Sequence, residues 1–247
     1  MTRATVWAAA VWAALATPAA AVECSDLTHE GNRYTVCEVH PAQEDLRLFL
    51  YDDLGDVLGQ FGAIDSRLQA DGKALAFAMN AGMYHRDRAP VGHYVENGEE
   101  LRRVIPNAGP GNFGMLPNGV FCIGEGRADV FETLDFVKQA PDCRFATQSG
   151  PMLVIDGALH PRFLPDSTSR YVRNGVGTSD DGQRVVFVIS GNAVTFHEFG
   201  SLFRDQLGVT NALYFDGNIS RLYAPAIRRS DAGFAMGPIV GVVTDAQ

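Results

Sequence analysis

Residues 211–221 read Asn-Ala-Leu-Tyr-Phe-Asp-Gly-Asn-Ile-Ser-Arg, an apolar run that stops abruptly at an Asp-Gly-Asn turn. Leu213 and Phe215 alternate with the period of a half-buried strand, and Asp216 falls where that strand ends. A carboxylate delivered there is held rigidly at a sheet edge, and Gly217 is expected to supply backbone geometry that other residues resist. The same letters in isolation also spell an ordinary Asp-Gly hairpin turn.

Working outward, similar short runs rich in Val, Phe, Tyr and Ile predict strands at residues 34–39, 46–51, 74–80, 91–96, 120–124, 145–148, 152–155, 185–190, 212–215 and 238–243. Turn residues at Asn97-Gly98, Asn118-Gly119, Asp156-Gly157 and Asp181-Gly182 predict antiparallel hairpins between them. Helical spacing is rare. It is clearest over 198–207, where Phe199, Leu202, Phe203 and Leu207 recur on one face, and weaker over 64–70 and 132–139. The expected class is α+β, a single domain built on a mixed, largely antiparallel β-sheet with few helices.

Residues 1–21 carry one basic side chain, Arg3, an apolar run over 6–16, and Ala19-Ala20-Ala21 after Pro18. That is the layout of a secretory signal peptide with an A-x-A cleavage site, and the run is too short to span a bilayer. Glu23 before Cys24 argues against a lipid anchor. The domain is therefore expected over 22–247 in an exported, periplasmic or secreted protein. Four cysteines in such a chain allow three pairings. Cys24-Cys37 and Cys122-Cys143 close the shortest loops, and no C-x-x-C spacing suggests a metal instead.

The net charge is −9, or −10 once Arg3 leaves (20 − 1 basic against 29 acidic residues). This excludes a generally basic nucleic-acid or anionic-membrane surface. Of the 20 basic residues 18 are arginine, the side chain that grips phosphate or carboxylate through parallel hydrogen bonds.

Five segments join polar side chains to glycine at strand ends. They hold Asn80, Gly82, Tyr84 and His85; Gln148, Ser149 and Gly150; Arg173, Asn174 and Gly177; Ser190, Gly191 and Asn192; and Asp216, Gly217 and Ser220. Asn80 would also serve simply as a turn cap. No G-x-S-x-G nucleophile motif is present. Neutral donors and glycines suit a sugar, and arginine suits an anion; a glycosyl phosphodiester uses both.

The segments F-A-M-N-A-G-M-Y-H, P-V-G-H-Y-V-E-N-G, G-N-F-G-M-L-P-N-G-V-F, A-T-Q-S-G-P-M-L-V-I-D-G, R-N-G-V-G and L-F-R-D-Q-L-G-V-T-N-A-L-Y-F-D-G-N-I-S-R-L-Y-A-P, in order from Phe77 to Val243, resemble the bacterial exported branch of the phosphodiester glycosidase family. The resemblance implies a family motif on Asn80, Gly82 and Tyr84, another on Arg173 and Gly177, and a third on Asp216, Gly217 and Ser220. Asn218 stands where many relatives have a second glycine, which places a side chain at the pocket. His93 stands where an aliphatic residue is expected.

A phosphate monoester departs as a stable anion, with a second pKa of about 6. One carboxylate plus an arginine can then replace the two carboxylates of ordinary glycosidases. Asp216 is expected to stabilise an oxocarbenium-like transition state or activate water, and Arg173 to hold the departing phosphate. Asn80, Gly82, Tyr84, Gln148, Ser149, Asn174, Gly217 and Ser220 are expected at the sugar. No cofactor is implied, although a divalent metal held by oxygen ligands would leave little trace at this spacing.

The histidines at 29, 40, 85, 93, 160 and 197 lack H-x-H or H-x-x-x-H spacing, and only His85 and His197 lie in or beside motif segments. Asp180 and Asp181 read as a hairpin tip, with calcium the other reading. Gly109-Pro110-Gly111-Asn112 lacks the lysine of a phosphate-cradling loop and reads as a lip over the pocket. Both tryptophans, Trp7 and Trp12, fall within the signal segment, which leaves Tyr84, Tyr94, Tyr171, Phe113 or Phe196 for stacking on a sugar. The function expected is hydrolysis of a glycosyl-1-phosphodiester in the cell envelope. The main rival reading is a non-catalytic binding protein for anionic, phosphate-bearing glycans, and a third is an envelope assembly factor that uses the sheet only as a scaffold. The expected partner is a small-molecule or glycan substrate carrying a sugar-phosphate, with no nucleic acid and no membrane span.

Overall fold

A computed structural model describes residues 22–246 of the chain. The expected signal peptide, residues 1–21, lies outside the described residues. Every apolar run expected as a strand forms one, with ends moved by a few residues. The strands fall into three sheets rather than one, and every neighbouring pair is antiparallel. The α+β class with few helices holds.

The first sheet has seven strands, ordered Glu23–His29, Asn32–Val39, Val185–Ser190, Asn174–Thr178, Asn211–Asp216, Met152–Ile155 and Ala158–Leu159. The second has five, Arg229–Ser230, Leu222–Ala224, Lys73–Asn80, Ile239–Asp245 and Asp45–Phe49. The third also has five, Glu99–Arg102, Tyr94–Glu96, Phe145–Ser149, Gly119–Ile123 and Ala128–Glu132. One phenylalanine from each sheet meets at their junction: Phe187 lies with its ring centroid 4.9 Å from Phe77 and 5.9 Å from Phe121. All three are buried, and Phe215 joins them 6.3 Å from Phe121. Burying each ring contributes roughly 1.5–3 kcal/mol, so this junction fixes the sheets against one another.

Strand Asn174–Thr178, Asn-Gly-Val-Gly-Thr, has no apolar alternation to announce it, because its glycines admit neighbours. A Cβ on Gly175 would lie 2.5 Å from the Leu213 carbonyl, and one on Gly177 2.8 Å from Phe203 and Val209. Phe203 reaches that strand from the helical segment expected over 198–207. The segment opens as an α-helix, Phe196–Ser201, with a Thr195/Glu198 capping box, and widens to a π-helical turn over Leu202–Gln206. Helices Phe61–Ala70 and Thr133–Gln139 complete the set expected from spacing.

Asn97-Gly98 and Asp156-Gly157 turn hairpins with positive φ at both residues, and Asp181-Gly182 lies in the longer turn between Asn174–Thr178 and Val185–Ser190. Asn118-Gly119 does not turn a hairpin. Asn118 is buried, donating from Nδ2 to the Phe113 carbonyl and accepting at Oδ1 from Thr133. A Cβ on Gly119 would lie 2.7 Å from the Phe131 carbonyl, so that glycine serves close strand packing.

The two disulfides are Cys24–Cys37 and Cys122–Cys143, closing sequence separations of 13 and 21 residues. Cys24 and Cys37 are already direct partners in one hairpin. Cys122 and Cys143 instead tie a strand to the loop after helix Thr133–Gln139. Replacing both Cys122 and Cys143 with Ser is expected to cost about 3 kcal/mol by loss of loop closure, read as a lower denaturant midpoint.

Candidate active site

Asp216 is the last residue of its strand, and two residues, Phe215 and Asp216, oppose Asn174 alone on the neighbouring strand. Such a bulge increases local twist and re-aims the side chain beyond it. The Asp216 carboxylate accepts at Oδ1 from the N–H groups of Gly217 (2.6 Å) and Asn218 (2.9 Å), which pins that oxygen. Burial pushes the carboxyl above the ordinary aspartate range, and the N–H groups of Asn218, Gly217 and Ile219 pull it part of the way back. Among the described residues Asp216 has no ion-pair partner.

The carboxylate lines an open depression of about 570 Å³ whose wall is drawn from four parts of the chain. Met83, Tyr84 and Val91 follow the second sheet, Gly111 and Asn112 form the expected lip, Ser169 and Tyr171 come from the loop before Arg173, and Tyr214 precedes the turn. Tyr84 faces Asp216: burial first, and the negative charge of Asp216 second, push its phenol pKa up, and its hydroxyl is buried without a hydrogen-bond partner.

Arg173 is on the same side of the molecule but behind the wall. It is 1 % exposed, its Nε donates to the Val194 carbonyl (2.9 Å), and its Nη2 donates to the carbonyl of the pocket residue Ser169 (3.1 Å). Its Cζ lies 3.7 Å from the Phe196 ring centroid and 5.3 and 5.4 Å from those of Tyr171 and Tyr214. Nη1 is buried with no partner among the described residues. Burial draws the guanidinium pKa down, while Tyr214 and Tyr171 work in the opposite direction.

Most of the remaining residues expected at the sugar lie under the wall as a scaffold. Asn80 donates through Nδ2 to Asn174 Oδ1 (3.1 Å) and accepts from the N–H of Arg221 (2.9 Å), and Asn174 returns a bond to the Asn80 carbonyl (2.8 Å). Ser220 donates to the Val172 and Asp216 carbonyls. Ser149 donates to the Phe215 carbonyl, and Gln148 spends its amide on His93, Ile105 and Thr133. Gly82 has φ of 135° and no room for a Cβ against Thr147. These contacts converge on the Asp216 turn from three segments, but only Tyr84, Asp216 and Gly217 of the expected set line the depression.

Of the polar residues lining the depression, Tyr214 and Ser169 were given no role by the sequence and Asn112 was read only as part of a lip; the apolar Met83, Val91 and Ile219 were likewise given none. For Tyr214 a signal existed, since residues two apart in a strand share a face and Asp216 was already placed. His85 and His197 do not line the depression. His93 is buried, with Nδ1 2.9 Å from the Arg102 carbonyl and its ring against Phe136, a packing role. Among the described residues no group of three or more His, Cys, Asp or Glu side chains gathers as a candidate metal site.

Gly217 does not have positive φ, so the expected backbone reason for a glycine is corrected: a Cβ there would lie 2.3 Å from the Tyr214 hydroxyl. Gly217→Ala is expected to displace Tyr214, costing about 1–3 kcal/mol of stability by overpacking, measurable by thermal unfolding.

The sequence profile of the family described as phosphodiester glycosidase matches residues 73–236, a span that contains every residue lining the depression. The chain belongs to the phosphodiester glycosidase family. An Escherichia coli K12 relative, the uncharacterized protein YigE, is 35 % identical over 206 residues, covering 83 % of this chain and 79 % of that protein. The fold is similar to that of the zebrafish N-acetylglucosamine-1-phosphodiester alpha-N-acetylglucosaminidase catalytic domain, auto-inhibited by its pro-peptide. That match has a TM-score of 0.61 at 12 % identity, over 90 % of this chain and 81 % of that one. A hypothetical protein from Synechocystis matches at TM-score 0.60 and 15 % identity, over 90 % of this chain and 61 % of that one.

Proposed function

We propose that this phosphodiester glycosidase family member hydrolyses the bond between a sugar's anomeric carbon and phosphate in glycosyl-1-phosphodiesters of the cell envelope. The observation that carries the reading is Asp216, an unpaired carboxylate fixed by backbone N–H groups in a sugar-sized depression with a buried guanidinium behind its wall. The zebrafish protein, whose name describes a glycosyl phosphodiester substrate, supports the substrate class through fold and family.

In the reaction the bond from the anomeric carbon to oxygen breaks, and its electron pair leaves on the phosphate oxygen. Water adds to the anomeric carbon and gives up a proton to Asp216, from which it passes to solvent. The ionised Asp216 stabilises the positive charge that develops on the sugar ring, and the cationic Arg173 favours negative charge building on the phosphate side. Export is supported by the pattern of residues 1–21 and by the two disulfides, and no helix of the described residues is long and apolar enough to cross a membrane.

A panel of sugar-1-phosphodiesters tests the proposal. The expected result is release of free reducing sugar and phosphate monoester in equal amounts. Binding of the same compounds without turnover would instead identify a glycan-binding protein.

A further inference from the structure

Among the described residues Arg173 is the most deeply buried arginine, and it lies beside the depression without presenting surface to it. At 1 % exposure, with Nε and Nη2 given to carbonyls and the Phe196 ring 3.7 Å from Cζ, it has no path to a ligand short of moving an aromatic side chain. The wall in front of it is Tyr214 and Tyr171, both lining the depression. Of these, Tyr171 is 48 % exposed, whereas Tyr214 is 2 % exposed and locked by an edge contact with Phe196 at 4.8 Å and by its hydroxyl against Gly217. The Tyr214 hydroxyl therefore has a fixed place two residues from Asp216, within the field of the guanidinium, on a residue that lines the depression.

Resting on the hydrolase reading above, we propose that Tyr214 is the residue that touches the departing phosphate, its hydroxyl donating a hydrogen bond to a phosphate oxygen, and that Arg173 is a positioning residue acting through it. A phenol facing a guanidinium donates more strongly than one facing apolar side chains, because the positive charge favours the negative end of the donating bond. Arg173 Nη1, a buried donor without a partner among the described residues, supplies that charge with no carboxylate paired to it, while burial and the Asp216 charge act on the phenol in the opposite direction. The arrangement also explains the glycine at 217: a methyl group there would occupy the hydroxyl's position. Depletion of direct cation contact favours a ligand of low charge at the phosphorus, a diester or monoester, over a polyphosphate, which calls for exposed cations.

The test uses the full chain with its disulfides intact, as wild type, Tyr214→Phe, Asp216→Asn, and Tyr214→Phe combined with Arg173→Lys. Turnover of the diester panel is read as kcat and KM separately, and binding of inorganic phosphate is followed by calorimetry. Tyr214→Phe is expected to lower kcat by about 10²-fold, the scale for loss of one preorganised donor, and to weaken phosphate binding about tenfold, with its unfolding temperature unchanged. Adding Arg173→Lys to that variant is expected to change phosphate affinity no further, whereas a direct Arg173 contact predicts a second loss. If wild type turns over a diester and Tyr214→Phe matches it in kcat and phosphate affinity, the Tyr214 assignment is overturned and the hydrolase reading stands. If wild type turns over nothing but its phosphate binding depends on Tyr214, the hydrolase reading falls and the contact stands. Absence of both turnover and phosphate binding removes both.

Discussion

Asp216→Asn is expected to lower kcat on any glycosyl phosphodiester that wild type hydrolyses by at least about 10³-fold, while leaving the protein folded. The amide oxygen of Asn can still accept from the Gly217 and Asn218 N–H groups, so the turn keeps its shape. What disappears is the negative charge that, in the proposed reaction, stabilises the sugar cation and takes the proton from water. Kinetics on the diester panel with thermal unfolding as control measure this, and retention of wild-type turnover would remove Asp216 from the mechanism.

The same substitution has a pH signature whose sign follows from burial. The folded-state pKa of Asp216 is raised, so the folded protein holds this proton to higher pH than the unfolded chain does. Its contribution to stability is therefore greatest below the unfolded aspartate pKa and declines as pH rises through the folded value. Asp216→Asn removes that decline, and at neutral pH its unfolding temperature is expected to equal or exceed that of wild type. The proposed reaction needs the ionised form, so the acid limb of kcat/KM is expected above the ordinary aspartate range.

Phe187→Ala is the substitution expected to hurt the fold most. Its ring touches Phe77 in the second sheet and Phe121 in the third while belonging to the first, and all three are buried. Removing it leaves a cavity where three layers meet and none can collapse alone. The expected loss is about 3–5 kcal/mol, a large part of the 5–15 typical of a domain. Guanidinium unfolding with an unchanged m-value checks it, and a loss below about 1 kcal/mol would mean that the junction repacks freely.

Strands such as Val185–Ser190 and Met152–Ile155 were legible at their full length because uninterrupted apolar runs have no other stable fate. Strand Asn174–Thr178 carries no apolar period, because its glycines make room for Leu213, Phe203 and Val209, and it was legible only as the small-residue strand that follows Arg173. Edge strands with mostly polar or exposed residues, Glu23–His29 and Glu99–Arg102, carried no period to read. The division into three sheets depends on contacts between residues far apart in sequence, such as those of Phe77, Phe121 and Phe187, which no local pattern records.

The site shows the same split. The Asp216 turn was legible because an apolar strand must stop somewhere, and it stops on a carboxylate. The polar residues clustered near it by motif, Asn80, Gln148, Ser149, Asn174 and Ser220, were read as sugar contacts, yet their donors and acceptors are met by other protein groups. Composition alone cannot separate a polar residue that builds a wall from one that faces a ligand. Arg173 illustrates the point most sharply: an arginine next to a glycine-rich strand gave no hint of the aromatic cage of Phe196, Tyr171 and Tyr214 around it.

Tyr214, Phe215 and Asp216 divide their loyalties along three consecutive positions: the outer two look into the depression, and the middle one is wedged among Phe121 and its neighbours. A one-residue slip would swap those directions, burying a hydroxyl and presenting a phenyl group to the ligand. The site thus has no gradual way to fail. Heat loss of the proposed activity and of tertiary structure is expected to follow a single curve, since whatever loosens Phe215 dismantles both at once.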